Sequence, residues 1–152
     1  MTVEEEAVAL FNQGYSCAQA VLAACAKQMG ITKETALRMG SALGAGLCGL
    51  RETCGAVLGM VAVCGASQAP ITPMDAKTKA GLYGEAQAMV KIFDETFGTH
   101  QCKALLQQAS IEKSAGVAPE ERTEAYYAKR PCAKFVALCA RLASQSKNIE
   151  SV

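Results

Sequence analysis

The sequence contains no tryptophan, and its only large aromatic residues are four phenylalanines and four tyrosines. Hydrophobic residues still make up 51% of the 152 positions, and alanine, valine, leucine and cysteine supply much of that share. Small and aliphatic side chains of this kind are typical of closely packed helices. A chain of this length can bury about two thirds of its unfolded surface in one core and is too short for two ordinary domains. We therefore expect one domain.

The sequence also has no excess of one charge. Fifteen basic and fourteen acidic side chains give a formal net charge of +1, and no basic run is longer than Lys129-Arg130. This balance favours neither nucleic acid nor an anionic membrane as a partner. The apolar-rich run over 40–50 is too short to span a bilayer, and glutamates at 4–6 stand where a secretory signal is basic. We expect a cytoplasmic protein without membrane insertion.

No stretch alternates apolar and polar residues in the manner of a half-buried strand, whereas apolar spacings of three and four recur along the chain. The sequence therefore predicts an all-α, single-domain bundle of about six or seven helices over residues 1–145. Residues 146–152 are expected to form a disordered tail.

One stretch is predicted to form the centre of the bundle. Residues 54–66 are apolar on every side of a helix, and Thr53 is a suitable N-cap for a helix that begins at Cys54. Gly55 and Gly59 lie four residues apart, so they share one helix face. Because glycine inside a helix costs about 0.5 to 1 kcal/mol against alanine, we expect a neighbouring backbone to pack closely there.

The eight cysteines include no C-x-x-C pair. Neither a thioredoxin-like active site nor a zinc-ribbon knuckle is therefore indicated, and any site must be assembled from distant segments. In a reducing cytosol, cysteines more often serve redox chemistry, metal binding or core packing than permanent disulfides.

Four of the cysteines are each predicted in the first turn of a helix, namely Cys17, Cys54, Cys102 and Cys132. The first turn has backbone N–H groups without intrahelical partners and the equivalent of about half a positive charge. A thiolate is stabilised there, and cysteine pKa values fall from about 8.5 toward about 3.5 to 7.5 in such settings. If these helix starts converge, the sequence predicts a cluster of acidic, reactive thiols.

The other four cysteines are interpreted differently. Cys25, Cys64 and Cys139 lie about 10 to 15 Å along the helix from the cysteine at its start, too far for a disulfide within that helix. We predict that these three pack in the core. Cys48 lies in the glycine-rich loop 44–49 and is a candidate fifth participant. That loop has the G-x-G-x-x-G spacing but follows a helical pattern, so a dinucleotide site is not expected.

Four sequence blocks surround the helix-start cysteines: NQGYSCAQAVL, ETCGAVLGM, FGTHQCKAL and RPCAKFVALCARL. Their order and spacing, with the C-G-A-x-x-G core of the second block, resemble the C_GCAxxG_C_C family of small redox-active proteins. The family name writes Gly-Cys-Ala where this chain has Cys54-Gly55-Ala56, which leaves the cysteine assignment intact and the role of the glycine open. The resemblance implies a helical fold, four shared cysteines and partners among oxidoreductases or transporters encoded nearby.

Three functions stay open on these residues. We favour a dithiol/disulfide relay of electrons or thiols, in a thiol-dependent oxidoreductase or an electron-transfer accessory protein. Alternatively, the same four cysteines bind zinc or an iron-sulfur cluster, since four thiolates around a divalent metal carry about −2 and four helix starts supply about +2. In the third, the cysteines only pack and the protein binds a partner through its helices. The oligomeric state is not indicated.

Overall fold

The computed structural model describes residues 1–146, and these residues form eight helices and no strand. The helices are α1 (Val3–Asn12), α2 (Cys17–Ala24), α3 (Lys33–Gly40), α4 (Gly55–Gln68), α5 (Ala76–Phe97), α6 (Cys102–Gln108), α7 (Glu124–Lys129) and α8 (Cys132–Ser144). The predicted all-α single-domain bundle is confirmed, with eight helices in this range where six or seven were expected. Apart from Ser146, the predicted tail lies outside the described residues.

Local capping explains where the first three helices begin. The Thr2 and Ser16 side chains each accept a hydrogen bond from the backbone N–H three residues on. In turn, the side chains of Glu5 and Gln19 accept a hydrogen bond from the backbone N–H of the cap residue. These reciprocal pairs are capping boxes. Thr32 caps α3 by accepting from the N–H of Thr35. The starts of these helices are therefore set within a few residues of sequence.

Helix α4 lies at the centre of the bundle, packed against α2, α5 and α8. Its Met60, Val63 and Cys64 side chains are fully buried. One edge reaches the surface, where Val61 is 37% exposed. The central position predicted for this helix is thus correct for all but that edge.

The glycines of α4 make the close approach that their spacing predicted. A Cβ added at Gly59 would lie 3.1 Å from the Cβ of Val21, and one at Gly55 would lie 3.3 Å from the backbone N of Ala18. Both contacts are with α2. Ala18 directly follows Cys17, and Val21 lies about one helical turn further along. The absence of side chains at these glycines therefore fixes the start of α4 beside the start of α2.

The three cysteines assigned to the core are buried, with exposures of 2% for Cys25 and 0% for Cys64 and Cys139. They belong to the same hydrophobic cluster as Phe93 and Val136. The core prediction for these three thiols is confirmed.

Candidate functional site

The starts of α2, α4, α6 and α8 meet around one cavity of about 470 Å³. Cys17, Cys102 and Cys132 are the first residues of α2, α6 and α8. Together with Cys54 and the exposed Cys48, these cysteines line the cavity. The structure therefore brings together all four cysteines singled out in the sequence, and also the fifth candidate.

The sequence predicted Cys54 as the first residue of α4, but the structure places it one position earlier, as the N-cap residue. The reason is a tertiary contact. Thr53 pairs with Gln101 in an isolated antiparallel bridge, and the Cys54 N–H donates to the carbonyl of His100 at 2.8 Å. In return, the N–H of Cys102 donates to the carbonyl of Glu52. These bonds delay the helix by one residue and tie the Cys54 segment to the Cys102 segment.

The glycine-rich loop 44–49 forms one wall of the cavity. Ala45, Leu47 and Cys48 all have positive φ angles, of 53°, 72° and 42°. Each left-handed non-glycine residue costs about 1 to 2 kcal/mol, so tertiary contacts must hold this wall in place. A Cβ at Gly46 (φ 70°) would lie 2.6 Å from the Cβ of Cys102. Only glycine permits this approach, which seats the loop against the thiol.

Three arginines also line the cavity, and sequence reasoning did not single them out. The Arg51 Nη1 lies 3.9 Å from the Cys102 Sγ. Arg122 stacks on the rings of Phe11 and Tyr126, each centroid 4.7 Å away. Nearness in sequence to Cys54 offered a clue for Arg51, whereas nothing near Arg122 in sequence pointed to it.

Arg130 is the third arginine that lines the cavity, and its side chain is only 4% exposed. It forms an ion pair with Glu120, the cavity's one carboxylate, and lies over the Tyr126 ring at 4.7 Å. Its position two residues before Cys132 was the available sequence clue. These guanidinium groups make the environment of the thiols electropositive.

Cys17 and Cys132 are neighbours in the cavity wall, at the starts of α2 and α8, and the interaction between their thiols shifts the pKa of both. The hydrogen bond from Cys17 lowers the pKa of Cys132, and the charges of Arg130, Arg122 and Arg51 lower it further against the effect of burial. The same hydrogen bond, together with burial, raises the pKa of Cys17 well above its ordinary value. Of the two thiols, Cys132 therefore loses its proton more easily and Cys17 holds its proton more tightly.

Cys54 and Cys102 contradict the expectation that every helix-start thiol is acidic. Burial raises the pKa of Cys54 to about 12, although the N–H groups of Val57 and Ala56 oppose the rise. Burial also raises the pKa of Cys102, against the lowering effect of the Arg51 guanidinium. Removing a charge from water here outweighs the partial charge of a helix start. The prediction of acidic thiols was wrong for three of the four, including Cys17.

The four helix-start cysteines are also the candidate ligands for a metal ion or cluster. Within 1–146, no group of three or more His, Cys, Asp or Glu side chains is arranged to hold a metal ion. A structural zinc or iron-sulfur site needs about four such ligands around one centre. The alternative of a metal or cluster on Cys17, Cys54, Cys102 and Cys132 gains no support from this donor set.

The side chain of His100, the chain's single histidine, lies outside the cavity. Its Nδ1 lies 2.9 Å from a carboxylate oxygen of Asp94, and it does not line the cavity. Its contribution to the site is its backbone carbonyl, which accepts from Cys54. An imidazole base next to these thiols is therefore not part of the site.

Helices of the described part are all too short or too polar to cross a membrane. No curated protein and no solved structure matches the chain. The model of one family, described as "Putative redox-active protein (C_GCAxxG_C_C)", matches residues 15–146. That range contains all five cysteines of the cavity and both halves of the Cys17–Cys132 pair. The chain therefore belongs to the C_GCAxxG_C_C family.

Proposed function

We propose that this protein carries out cysteine-based redox chemistry in which Cys17 and Cys132 alternate between a dithiol and a disulfide. The observation that carries the proposal is that these two cysteines, the first residues of α2 and α8, line the same ligand-sized cavity, where the interaction between their thiols shifts their pKa values in opposite directions. Two neighbouring thiols from different helices can form a disulfide when an oxidant removes two electrons.

The two cysteines have different tasks in this proposal. The thiolate is the attacking species in thiol–disulfide exchange, and the reaction is fastest when the pKa of the attacking thiol is near the ambient pH, because a higher pKa leaves less thiolate and a lower pKa makes the thiolate less nucleophilic. Cys132 is the nucleophile, because three guanidinium groups and the Cys17 thiol stabilise its negative charge. Cys17 is the resolving cysteine, which keeps its proton until the first exchange has occurred.

Cys54 and Cys102 are neighbours of this pair whose pKa values burial keeps high. In the proposal they form a second dithiol, which passes two electrons to the Cys17–Cys132 disulfide and becomes a disulfide itself only after the first pair has reacted. A disulfide that opens and closes also requires a reducing compartment, which favours the cytoplasm. The electron partner proposed on the family resemblance is an oxidoreductase or a transporter encoded nearby.

The test is controlled oxidation followed by peptide mapping. Reduced protein is treated with one or with two equivalents of the thiol oxidant diamide, and the free thiols are counted in denaturant. We expect the eight thiols to fall to six when one pair reacts, or to four when Cys54 and Cys102 follow. In either case a peptide containing Cys17 must be linked to one containing Cys132.

The sequence makes this link readable. Trypsin cleavage after Lys134 separates Cys132 from Cys139, and Cys25→Ala leaves Cys17 as the one thiol in the peptide that ends at Lys27. Cys25 lies one residue beyond α2 and does not line the cavity, so this background should oxidise like the wild type. Unchanged thiol counts, or a first disulfide between other cysteines, would overturn the proposal.

A further inference from the structure

The charges that line the cavity do not balance. Among the described residues that line it, three arginines, Arg51, Arg122 and Arg130, face one carboxylate, that of Glu120, which leaves a net charge of +2 before any thiol ionises. A thiolate on Cys132 neutralises one of these charges. The chain as a whole carries only +1, so the excess is concentrated in this cavity.

The three arginines differ in how many hydrogen-bonding or ion-pair partners the protein provides for their guanidinium groups. Arg130 has an ion pair with Glu120, and Arg122 donates to the carbonyls of Phe11 and Tyr15. Arg51 has neither kind of partner. Its one side-chain hydrogen bond within 1–146 is the 3.9 Å contact with Cys102, and its Nε is buried there without any partner. A buried guanidinium nitrogen without an acceptor is costly, and a carboxylate can satisfy two guanidinium nitrogens at once.

The position and size of the cavity limit what could supply that carboxylate. Cys132 is only 9% exposed and Cys54 only 4%, so the reacting sulfur is reached from inside the cavity rather than directly from the protein surface. A volume of about 470 Å³ lies in the range of small-molecule sites. The occupant is therefore a small molecule that carries negative charge and reacts with a thiolate.

We propose that the cavity binds a small anionic disulfide, with one of its carboxylates on the Arg51 guanidinium and its sulfur–sulfur bond at Cys132. This inference rests on the proposed function and names its substrate class. The anionic group satisfies Arg51, while Arg122 and Arg130 balance the charge of the thiolates that form and leave.

The reaction consumes no other reactant. The Cys132 thiolate attacks one sulfur of the substrate R–S–S–R, which breaks that bond, forms Cys132–S–S–R and releases R–S⁻. The proton of Cys17 passes to this leaving thiolate. The Cys17 thiolate then attacks the Cys132 sulfur and expels the second R–S⁻. The substrate is reduced to two thiols by two electrons, and the protein gains the Cys17–Cys132 disulfide.

The test compares three symmetrical disulfides of similar size and different charge in single-turnover reactions with the reduced protein. These are dithiodipropionate (charge −2), bis(2-hydroxyethyl) disulfide (neutral) and cystamine (charge +2). Each rate is divided by the rate of the same disulfide with a simple thiol, which removes intrinsic reactivity. We expect the normalised rate for dithiodipropionate to exceed that for cystamine by at least about tenfold, with the difference shrinking as salt is added.

Two variants test whether Arg51 causes the preference for the anionic disulfide. Arg51→Gln should lower the normalised rate for dithiodipropionate about 10- to 100-fold further than that for bis(2-hydroxyethyl) disulfide, because both reactions lose the same support for the Cys132 thiolate and only the anion also loses a charged hydrogen-bonding partner. Arg141→Gln removes the same charge from an exposed side chain outside the cavity and should change neither rate. Circular dichroism and melting temperature establish that both variants fold.

The outcomes separate this inference from the proposed function. Exchange with all three disulfides at equal normalised rates, or a preference that survives Arg51→Gln, overturns the anion site and leaves the redox pair standing. Absence of exchange with any of them overturns both. Reduction of a protein disulfide, such as that of insulin, as fast as dithiodipropionate would contradict the restriction to small substrates.

Discussion

Formation of the Cys17–Cys132 disulfide should stabilise the fold by an amount that follows from the chain itself. The bond would close a loop of about 115 residues, from the first turn of α2 to the first turn of α8. Such a cross-link removes conformations mainly from the unfolded chain. The loop-closure relation gives about 4.8 kcal/mol at 25 °C for a loop of this length.

Native-state strain and residual unfolded structure commonly reduce that figure, so we expect a gain of about 3 to 5 kcal/mol. For a domain of this size each kcal/mol moves the melting temperature by about 2 to 4 °C. The oxidised protein should therefore melt about 6 to 20 °C above the reduced protein. This is far larger than most single substitutions produce, and it is easily resolved.

The assay is thermal unfolding followed by circular dichroism, on protein prepared fully reduced and on protein oxidised with one equivalent of diamide. The same pair of samples of Cys132→Ser is the control, because that variant cannot close the loop. Equal melting temperatures for the two wild-type samples would refute the reasoning. So would a stabilisation of the same size in Cys132→Ser, since the bond responsible would then lie elsewhere.

Three further outcomes are expected. Iodoacetamide at pH 7 should modify Cys132 before the other cavity thiols, because a hydrogen bond and guanidinium charges lower the pKa of Cys132. Modification should spread to the buried thiols only as the pH rises above about 9. Peptide mapping that finds Cys132 unmodified at pH 7 would contradict the assignment. In α4, Gly65→Ala meets no atom within 4 Å, whereas Gly59→Ala places a methyl group 3.1 Å from Val21. Urea denaturation should show Gly65→Ala stabilised by about 0.5 to 1 kcal/mol and Gly59→Ala less stable than Gly65→Ala by about 1 to 3 kcal/mol, and equal stabilities would contradict the α2–α4 contact. Gly46→Ala combines a positive φ with contacts of 2.6 Å and should cost about 2 to 4 kcal/mol, so an unchanged melting temperature would argue against the loop placement.

Much of the fold could be predicted because its determinants are local. Thr2 and Ser16 begin their helices through residues three positions away, so the short sequence pattern contains the whole interaction. Helix α5 shows where such reasoning fails. Thr72 followed by Pro73 has the residue types of an N-cap and a first helical position, and this pattern favours a start there. The structure begins at Ala76, with the Asp75 side chain accepting from the N–H of Thr78.

The positions of the cavity cysteines could be predicted for the same local reason, but their chemistry could not. Whether a thiol ionises depends on burial and on charges from distant segments. Arg51 and Arg122 come to Cys132 from other segments of the chain, and Cys17 lies more than 100 positions away in sequence. Local pattern placed four sulfurs at helix starts. Only the packing of α2 against α8 distinguishes the acidic Cys132 from the other three.

The central claim is that Cys132 attacks and Cys17 resolves, and intact-mass analysis tests it most directly. Reduced wild type, Cys17→Ser and Cys132→Ser are each mixed with bis(2-hydroxyethyl) disulfide, whose neutral charge makes the result independent of the anion site. We predict that the wild type loses two hydrogens with no adduct, that Cys17→Ser keeps one mercaptoethanol adduct on Cys132, and that Cys132→Ser forms none in the cavity. An adduct that persists on the wild type, or one that forms on Cys17 in Cys132→Ser as readily as on Cys132, would contradict the account.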